Sequence, residues 1–269
     1  MTPTRLPRPP LTEMVAIPMH PKLMRQGLGV WKLFRLISHV MVGLLTIVLR
    51  FPSLSQVQRE QRIVIWSQGL LTCIAIKLVV KGVSFSPAPV LLMANHISWL
   101  DIAIVHAVRY CRFVAKSDLK HWPVIGTLTV GVGTLFIERE SRRDAMRVVH
   151  TMASSLRAGD VVAVFPEGTT SDGTGLLPFY ANLTQAAISA QVPIQPLALQ
   201  FVDAATGQPS TATAYVGDVS LWQSLWSTLT APSLRVIVTV GAPQTADGRD
   251  RRAWTEALRT EVDRLRTAD

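Results

Sequence analysis

The sequence predicts an α/β fold, a mostly parallel central sheet with helices between its strands, preceded by an N-terminal two-helix membrane hairpin. From residue 83 onward, short apolar runs of strand length alternate with stretches of helical periodicity, the pattern of βαβ units. The charge is also unevenly placed. A net +9 over 269 residues arises in residues 1–81, where eleven Lys or Arg face only Glu13 and Glu60, whereas from 82 onward sixteen of each sign cancel. With 48% hydrophobic and 17% charged residues the chain has enough apolar surface for a core, which excludes disorder throughout. Cys73 and Cys111 stand alone, without the spacing of a disulfide scaffold or a structural zinc site.

Residues 1–27 carry Pro3, Pro7, Pro9, Pro10, Pro18 and Pro21 and are expected to form an extended or disordered tail. A cleaved signal peptide is not expected behind such a segment. Residues 28–81 contain two apolar runs of 14 residues, 36–49 between Arg35 and Arg50 and 63–76 between Arg62 and Lys77, with a polar linker at 52–61. A 14-residue helix reaches only about 21 Å, short of the roughly 30 Å hydrocarbon core. The expectation is therefore a membrane-associated hairpin that dips into one leaflet with its basic flanks at headgroup level. A pair of core helices and a tilted span are the alternatives. Anionic lipid suits this arrangement better than nucleic acid, which calls for cations and aromatics interleaved on a folded face.

Residues 82–269 are expected to be one domain. Its strands are predicted at 90–94 (VLLMA), 112–115, 133–137, 161–165, 194–201 and 234–240. Its helices are predicted at 98–108, 142–156, 180–190 and 251–265. The first opens on Ser98-Trp99-Leu100-Asp101, like a capping box with Asp in place of Glu, and the second places Met146, Val149, Met152 and Ala153 on one stripe.

Ligands of such sheets bind beyond the carboxyl ends of the strands, which singles out three polar clusters. Asn95 to Asp101 follows the first strand, and a carboxylate five residues after His96 can turn back to the imidazole. A His–Asp pair is the minimal general base, the acid fixing the tautomer and steadying the imidazolium. The alternative is that Asp101 completes a cap and His96 is an ordinary strand-end residue; the residue pattern leaves both open. No GxSxG elbow, Cys–His neighbour or HExxH accompanies the pair, so it suits a base acting on a substrate hydroxyl better than a covalent enzyme, and no metal is expected. Glu138-Arg139 places a guanidinium after the third strand, and Pro166-Glu167-Gly168-Thr169-Thr170-Ser171 follows the fourth, where glycine permits a tight turn or close approach of a ligand.

Taken in order, Asn95-His96-x4-Asp101, Phe136-Ile137-Glu138-Arg139, Phe165-Pro166-Glu167-Gly168-Thr169 and Val192-Pro193-Ile194-Gln195-Pro196-Leu197 resemble the glycerolipid (lysophospholipid) acyltransferase family, over about residues 75–240. Ala115-Lys116-Ser117-Asp118-Leu119 and Trp122-Pro123-Val124-Ile125-Gly126 look like the family's stretch between its first two motifs. The resemblance implies direct transfer of an acyl group from acyl-CoA or acyl-ACP to the free hydroxyl of a lysolipid. It implies His96 and Asp101 as catalytic residues and Asn95, Arg139, Glu167, Gly168, Thr169 and Thr170 as substrate-binding residues. No cofactor beyond the acyl thioester co-substrate is implied; the partners would be membrane lipids, the lysolipid acceptor and CoA or acyl carrier protein, and the place of work the cytoplasmic face of the inner membrane.

The chain departs from phosphatidate-forming members at two positions, where Thr170 and Tyr180 stand in place of Arg and Lys. Loss of two cations weakens attraction for a phosphate monoester. The run Gly168 to Gly173, with Asp172, resembles a branch that includes lyso-ornithine lipid acyltransferases. Both acceptors therefore stay open, as do a transacylase using a phospholipid donor and a non-catalytic membrane-binding module. The last stretch, 249–269, reads as a solvated amphipathic helix.

Overall fold

The computed structural model of the protein describes residues 21–137 and 142–268. Most of the expected tail, residues 1–20, lies outside the described residues, as do Glu138 and Arg139. The chain runs through α1 (Pro21–Leu49), a 3-10 turn (Phe51–Ser53), α2 (Gln56–Cys73), β1 (Ile76–Gly82), β2 (Val90–Ala94), α3 (Asp101–Val108), β3 (Arg112–Lys116) and a second 3-10 turn (Ser117–His121). It continues through α4 (Ile125–Gly131), β4 (Leu135–Ile137), α5 (Arg142–Arg157), β5 (Val161–Val164), α6 (Ala181–Ala190), β6 (Ile194–Asp203), α7 (Leu221–Thr230), β7 (Leu234–Val240) and α8 (Arg251–Thr267).

The described strands form one sheet in the order β1-β7-β6-β2-β5-β3-β4. Every neighbouring pair is parallel except β6 with β7. The central strands β2 and β5 are continuous apolar runs because both of their faces are covered. Leu92, Ala94 and Ala163 face one core, shared with Leu36 of α1, Leu70 of α2, Ile104 of α3 and Leu229 of α7. Leu91, Met93, Val162 and Val164 face the other, with Met152 of α5, Ala186 of α6 and Trp254 of α8. The strand alternation thus sorts the helices into two layers.

Several expectations are corrected. Residues 76–81, assigned to the hairpin, belong to strand β1, paired parallel with β7; their apolar residues complete the sheet edge instead of a helix. The first helix begins at Pro21 and has 29 residues, so the length argument against a span does not hold for it. It is also the single described helix long and apolar enough to cross a membrane. Of the two helices expected as a membrane-associated pair, α1 is apolar in this sense, and α2 follows it, capped by a full capping box at Ser55 and Gln58. Met146 leaves the expected stripe and is exposed, whereas Val149, Met152 and Ala153 are buried, as are Val148 and Leu156. The sequence reading gave no helix at α4 or α7.

α1 lies along the domain instead of projecting from it. A Cβ on Gly29 would sit 2.8 Å from Thr230 of α7, and one on Gly43 would sit 2.4 Å from Trp66 of α2. At the far end, a Cβ on Gly131 of α4 would sit 2.6 Å from Ile47. Gly29 and Ile47 share a helical face, and the opposite face exposes Trp31, Phe34, Met41, Leu45 and Val48.

Candidate active site

Strand β2 ends at Ala94, and the next residue is where the backbone leaves the ladder. Asn95 replaces the missing strand hydrogen bonds: its Nδ2 donates to the Leu199 carbonyl at 3.0 Å, and the Leu199 N–H donates to its Oδ1 at 2.7 Å. It is wholly buried. Asn95, expected to bind substrate, instead pins β2 to β6, since its polar atoms are spent and no surface of it is accessible.

The same anchor delivers His96 to the carboxyl edge of the sheet. Asp101 opens α3, whose N-cap is Leu100 and has no side-chain cap, so the expected capping box is absent. The carboxylate turns back instead. His96 Nδ1 lies 2.8 Å from Asp101 Oδ2, which also accepts the N–H groups of Ile97 at 2.6 Å and Ser98 at 2.8 Å. Asp101 is fully buried, and His96 keeps 19% of its side-chain surface exposed. With Nδ1–H directed at the carboxylate, Nε2 of the neutral ring carries the free lone pair on the accessible side. This constellation can take a proton from a hydroxyl and hold the resulting imidazolium.

The turn after β5 clamps the main chain of the same histidine. Glu167, 3% exposed, accepts the His96 N–H at 2.7 Å on one carboxylate oxygen and the Leu177 N–H at 2.9 Å on the other. Burial pushes the Glu167 carboxyl above its ordinary range, opposed by those two N–H groups and by the imidazole. The Ser171 N–H donates to the His96 carbonyl at 2.8 Å. The Phe165 ring stacks on the imidazole, centroids 4.0 Å apart and planes 7° from parallel.

Gly168 has φ +70°, and a Cβ there would come within 2.5 Å of the Tyr180 ring, so glycine is required twice over. Thr169 is exposed on this turn, while the Thr170 hydroxyl donates to the Tyr215 carbonyl. Asp172 caps its own turn, accepting the Thr174 N–H and hydroxyl, and these bonds hold its carboxyl below the ordinary value. The structure thus brings His96, Asp101, Glu167 and the 168–171 turn together and turns Asn95 away; Arg139 lies outside the described residues. Among the described residues, no cluster of three or more His, Cys, Asp or Glu is placed to hold a metal.

The sequence reading assigned no role to Phe165 or Ser171. Phe165 heads the Phe-Pro-Glu-Gly-Thr run, and a ring next to a strand-end motif was a usable signal; the Ser171 contact depends on two loops meeting and left none.

Residues 77–200 match the acyltransferase family model. The chain is 36% identical over 206 residues to the 1-acyl-sn-glycerol-3-phosphate acyltransferase of Neisseria gonorrhoeae, a match spanning 76% of this chain and 80% of that protein. It is 35% identical over 212 residues to the lyso-ornithine lipid O-acyltransferase of Rhizobium meliloti, spanning 74% and 70%. In fold it is similar to the 1-acyl-sn-glycerophosphate acyltransferase PlsC of Thermotoga maritima, with a TM-score of 0.68 at 18% identity over 93% of this chain and 99% of that one. The motifs read from the sequence, the sheet that carries them and these relatives agree: the chain belongs to the glycerolipid acyltransferase family, with the 1-acyl-sn-glycerol-3-phosphate and lyso-ornithine lipid acyltransferases.

Proposed function

We propose that the protein transfers a fatty acyl group from acyl-CoA or acyl-ACP to the free hydroxyl of a lysolipid of the 1-acylglycerol-3-phosphate type. The observation that carries this reading is the buried Asp101 carboxylate 2.8 Å from His96 Nδ1, which leaves Nε2 as base at an open strand end. His96 accepts the hydroxyl proton as the oxygen attacks the thioester carbonyl. The tetrahedral intermediate collapses with loss of the thiolate, and His96 returns the proton to sulfur, giving the ester and free thiol. Aligned base and acceptor contribute roughly 10²–10⁴ to such a step. The reaction as written needs no metal and no acyl-enzyme.

α1 supports a membrane location. A helix that packs on α7 at one end and α4 at the other, with a largely apolar outer face, is read as lying in the leaflet plane with the domain beneath it. The basic excess of residues 1–81, with a water-borne thioester as the proposed donor, supports a reading of that leaflet as the cytoplasmic side of the inner membrane.

A lyso-ornithine lipid acceptor is the second reading. It is favoured by Thr170, whose hydroxyl is engaged with Tyr215, and by Tyr180 packed over Gly168, so neither position offers a cation to phosphate. The test is acyl transfer by purified protein from labelled acyl-CoA and acyl-ACP to lysophosphatidate, lyso-ornithine lipid and other lysolipids. Preference for lysophosphatidate supports the first reading, and preference for lyso-ornithine lipid replaces it with the second. Activity with a phospholipid donor alone would overturn both in favour of transacylation.

A further inference from the structure

Residues 122–133, between β3 and β4, are largely apolar, yet they barely enter either core. No residue of the 117–121 turn is buried, and Gly126 is the one buried residue of α4. Trp122 is 50% exposed, Val124 43% and Val130 50%. The backbone is strained in a way that keeps them outside. Val124 has φ +66° and ψ −61°, and the Ile125 N–H donates across it to the Pro123 carbonyl at 2.7 Å. This is the rarer, strained hand of the three-residue turn, placed on a β-branched residue. Burial within the protein does not offset that cost.

Its position and charge indicate what does. β3 runs parallel to β5, and β5 to β2, so Lys116 leaves the sheet at the edge that carries His96. α4 closes against α1 at Gly131 and Ile47, which makes its exposed residues neighbours of the apolar helix. Lys116 and Lys120 are exposed here, and Asp118 is the one acid between residues 112 and 137. An indole with nearby ammonium groups and aliphatic neighbours matches the interfacial layer of an anionic leaflet.

We propose that the Trp122-Pro123-Val124 turn is a second membrane contact, inserting Trp122 and Val124 below the headgroups and pinning the His96 edge of the sheet against the leaflet. The inference rests on the reading of α1 as lipid-facing. The turn and α1 then form a two-point contact, so the domain cannot rock about the helix and the site mouth stays at the depth of the acceptor hydroxyl.

The test is site-directed spin labelling of the full chain in phosphatidylcholine vesicles containing phosphatidylglycerol. On a Cys73→Ser background, with Cys111 buried, labels are placed through Trp122→Cys, through Leu45→Cys on the outer face of α1, and, as the aqueous reference, through Ala158→Cys in the exposed turn before β5, at the opposite edge of the sheet from His96. Accessibility to oxygen relative to a water-soluble nickel complex is expected to be several-fold higher at 122 and 45 than at 158. Aqueous accessibility at 122 with lipid-like accessibility at 45 would overturn this inference and leave the α1 reading standing. Aqueous values at both would overturn the two together. An aqueous label at 122 that becomes protected only when acyl carrier protein is added would assign the turn to a protein partner instead.

Discussion

The His96 ring is fixed from two directions, by Asp101 in its plane and by Phe165 on its face. Stacked ring pairs contribute about 0.5–1.5 kcal/mol beyond burial. Phe165→Leu should therefore lower kcat by up to about tenfold with KM little changed and shift the acidic limb of the pH–rate profile. Phe165→Tyr should restore both. Phe113 stacks on the other ring at 5.4 Å, and Phe113→Leu should cost stability without moving that limb.

Thr170 gives a prediction about the acceptor. Thr170→Arg adds a charge-assisted contact of about 1.5–3 kcal/mol to a phosphate and removes the bond to Tyr215. Relative kcat/KM for lysophosphatidate over lyso-ornithine lipid should rise about tenfold. An unchanged ratio would remove the 168–171 turn from headgroup recognition.

His106 bears on stability instead of turnover. It is buried between the rings of Tyr110 and Phe113, neither nitrogen has a hydrogen-bond partner among the described residues, and burial pushes its pKa down to about 4. The unfolded chain, with an ordinary value near 6.5, takes up the proton first as pH falls. Stability from this site is complete above about 6.5 and is lost as pH drops from there through 4. His106→Phe should abolish that part of the acid sensitivity in denaturant titrations at pH 7 and pH 5.

Among the elements, α1 and α2 are held by a reciprocal latch. His39 Nε2 lies 2.8 Å from the Trp66 carbonyl, and Trp66 Nε1 donates to the His39 carbonyl at 3.2 Å. Gly43 leaves room for the indole, so Gly43→Leu should cost about 1–3 kcal/mol by overpacking and lower the thermal midpoint in detergent. A midpoint within error of wild type would show that the latch does not hold α1 down.

These elements also show what was legible in the sequence. Buried strands such as β2 and β5 were read to within a residue because continuous apolar runs of that length fit little else. β1 was missed because Ile76 continues the apolar run of α2, and periodicity does not mark where a helix hands over to a strand. The α1 boundary was missed because Gly27, Gly29 and Lys32 break the apolar pattern; Gly27 faces open space, Gly29 faces Trp226 and Thr230 of α7, and Lys32 is buried, facts that belong to packing. For the site, the His96–Asp101 pair followed from local spacing. The Asn95 pin to Leu199 joins residues 104 apart in the chain, so its structural role was invisible before the strands were paired.

At the scale of the whole molecule, the parallel strands β2, β3 and β5 place His96, the Lys116 end of β3 and the Glu167 turn along one edge of the sheet. α1 lies across the layer that covers the same face as α2, α3 and α7. In the proposed function a lipid acceptor reaches the base from the leaflet while the thioester arrives from water, and His96, held by Asp101, takes the hydroxyl proton. The most direct measurement is single-turnover acyl transfer by wild type, His96→Ala and Asp101→Asn under saturating lysolipid and thioester, with acceptor binding measured separately. The account predicts a loss of roughly 10²–10⁴ in rate for His96→Ala with acceptor affinity retained, and a smaller loss for Asp101→Asn. A His96→Ala variant that is folded, binds the lysolipid and transfers at the wild-type rate would contradict it.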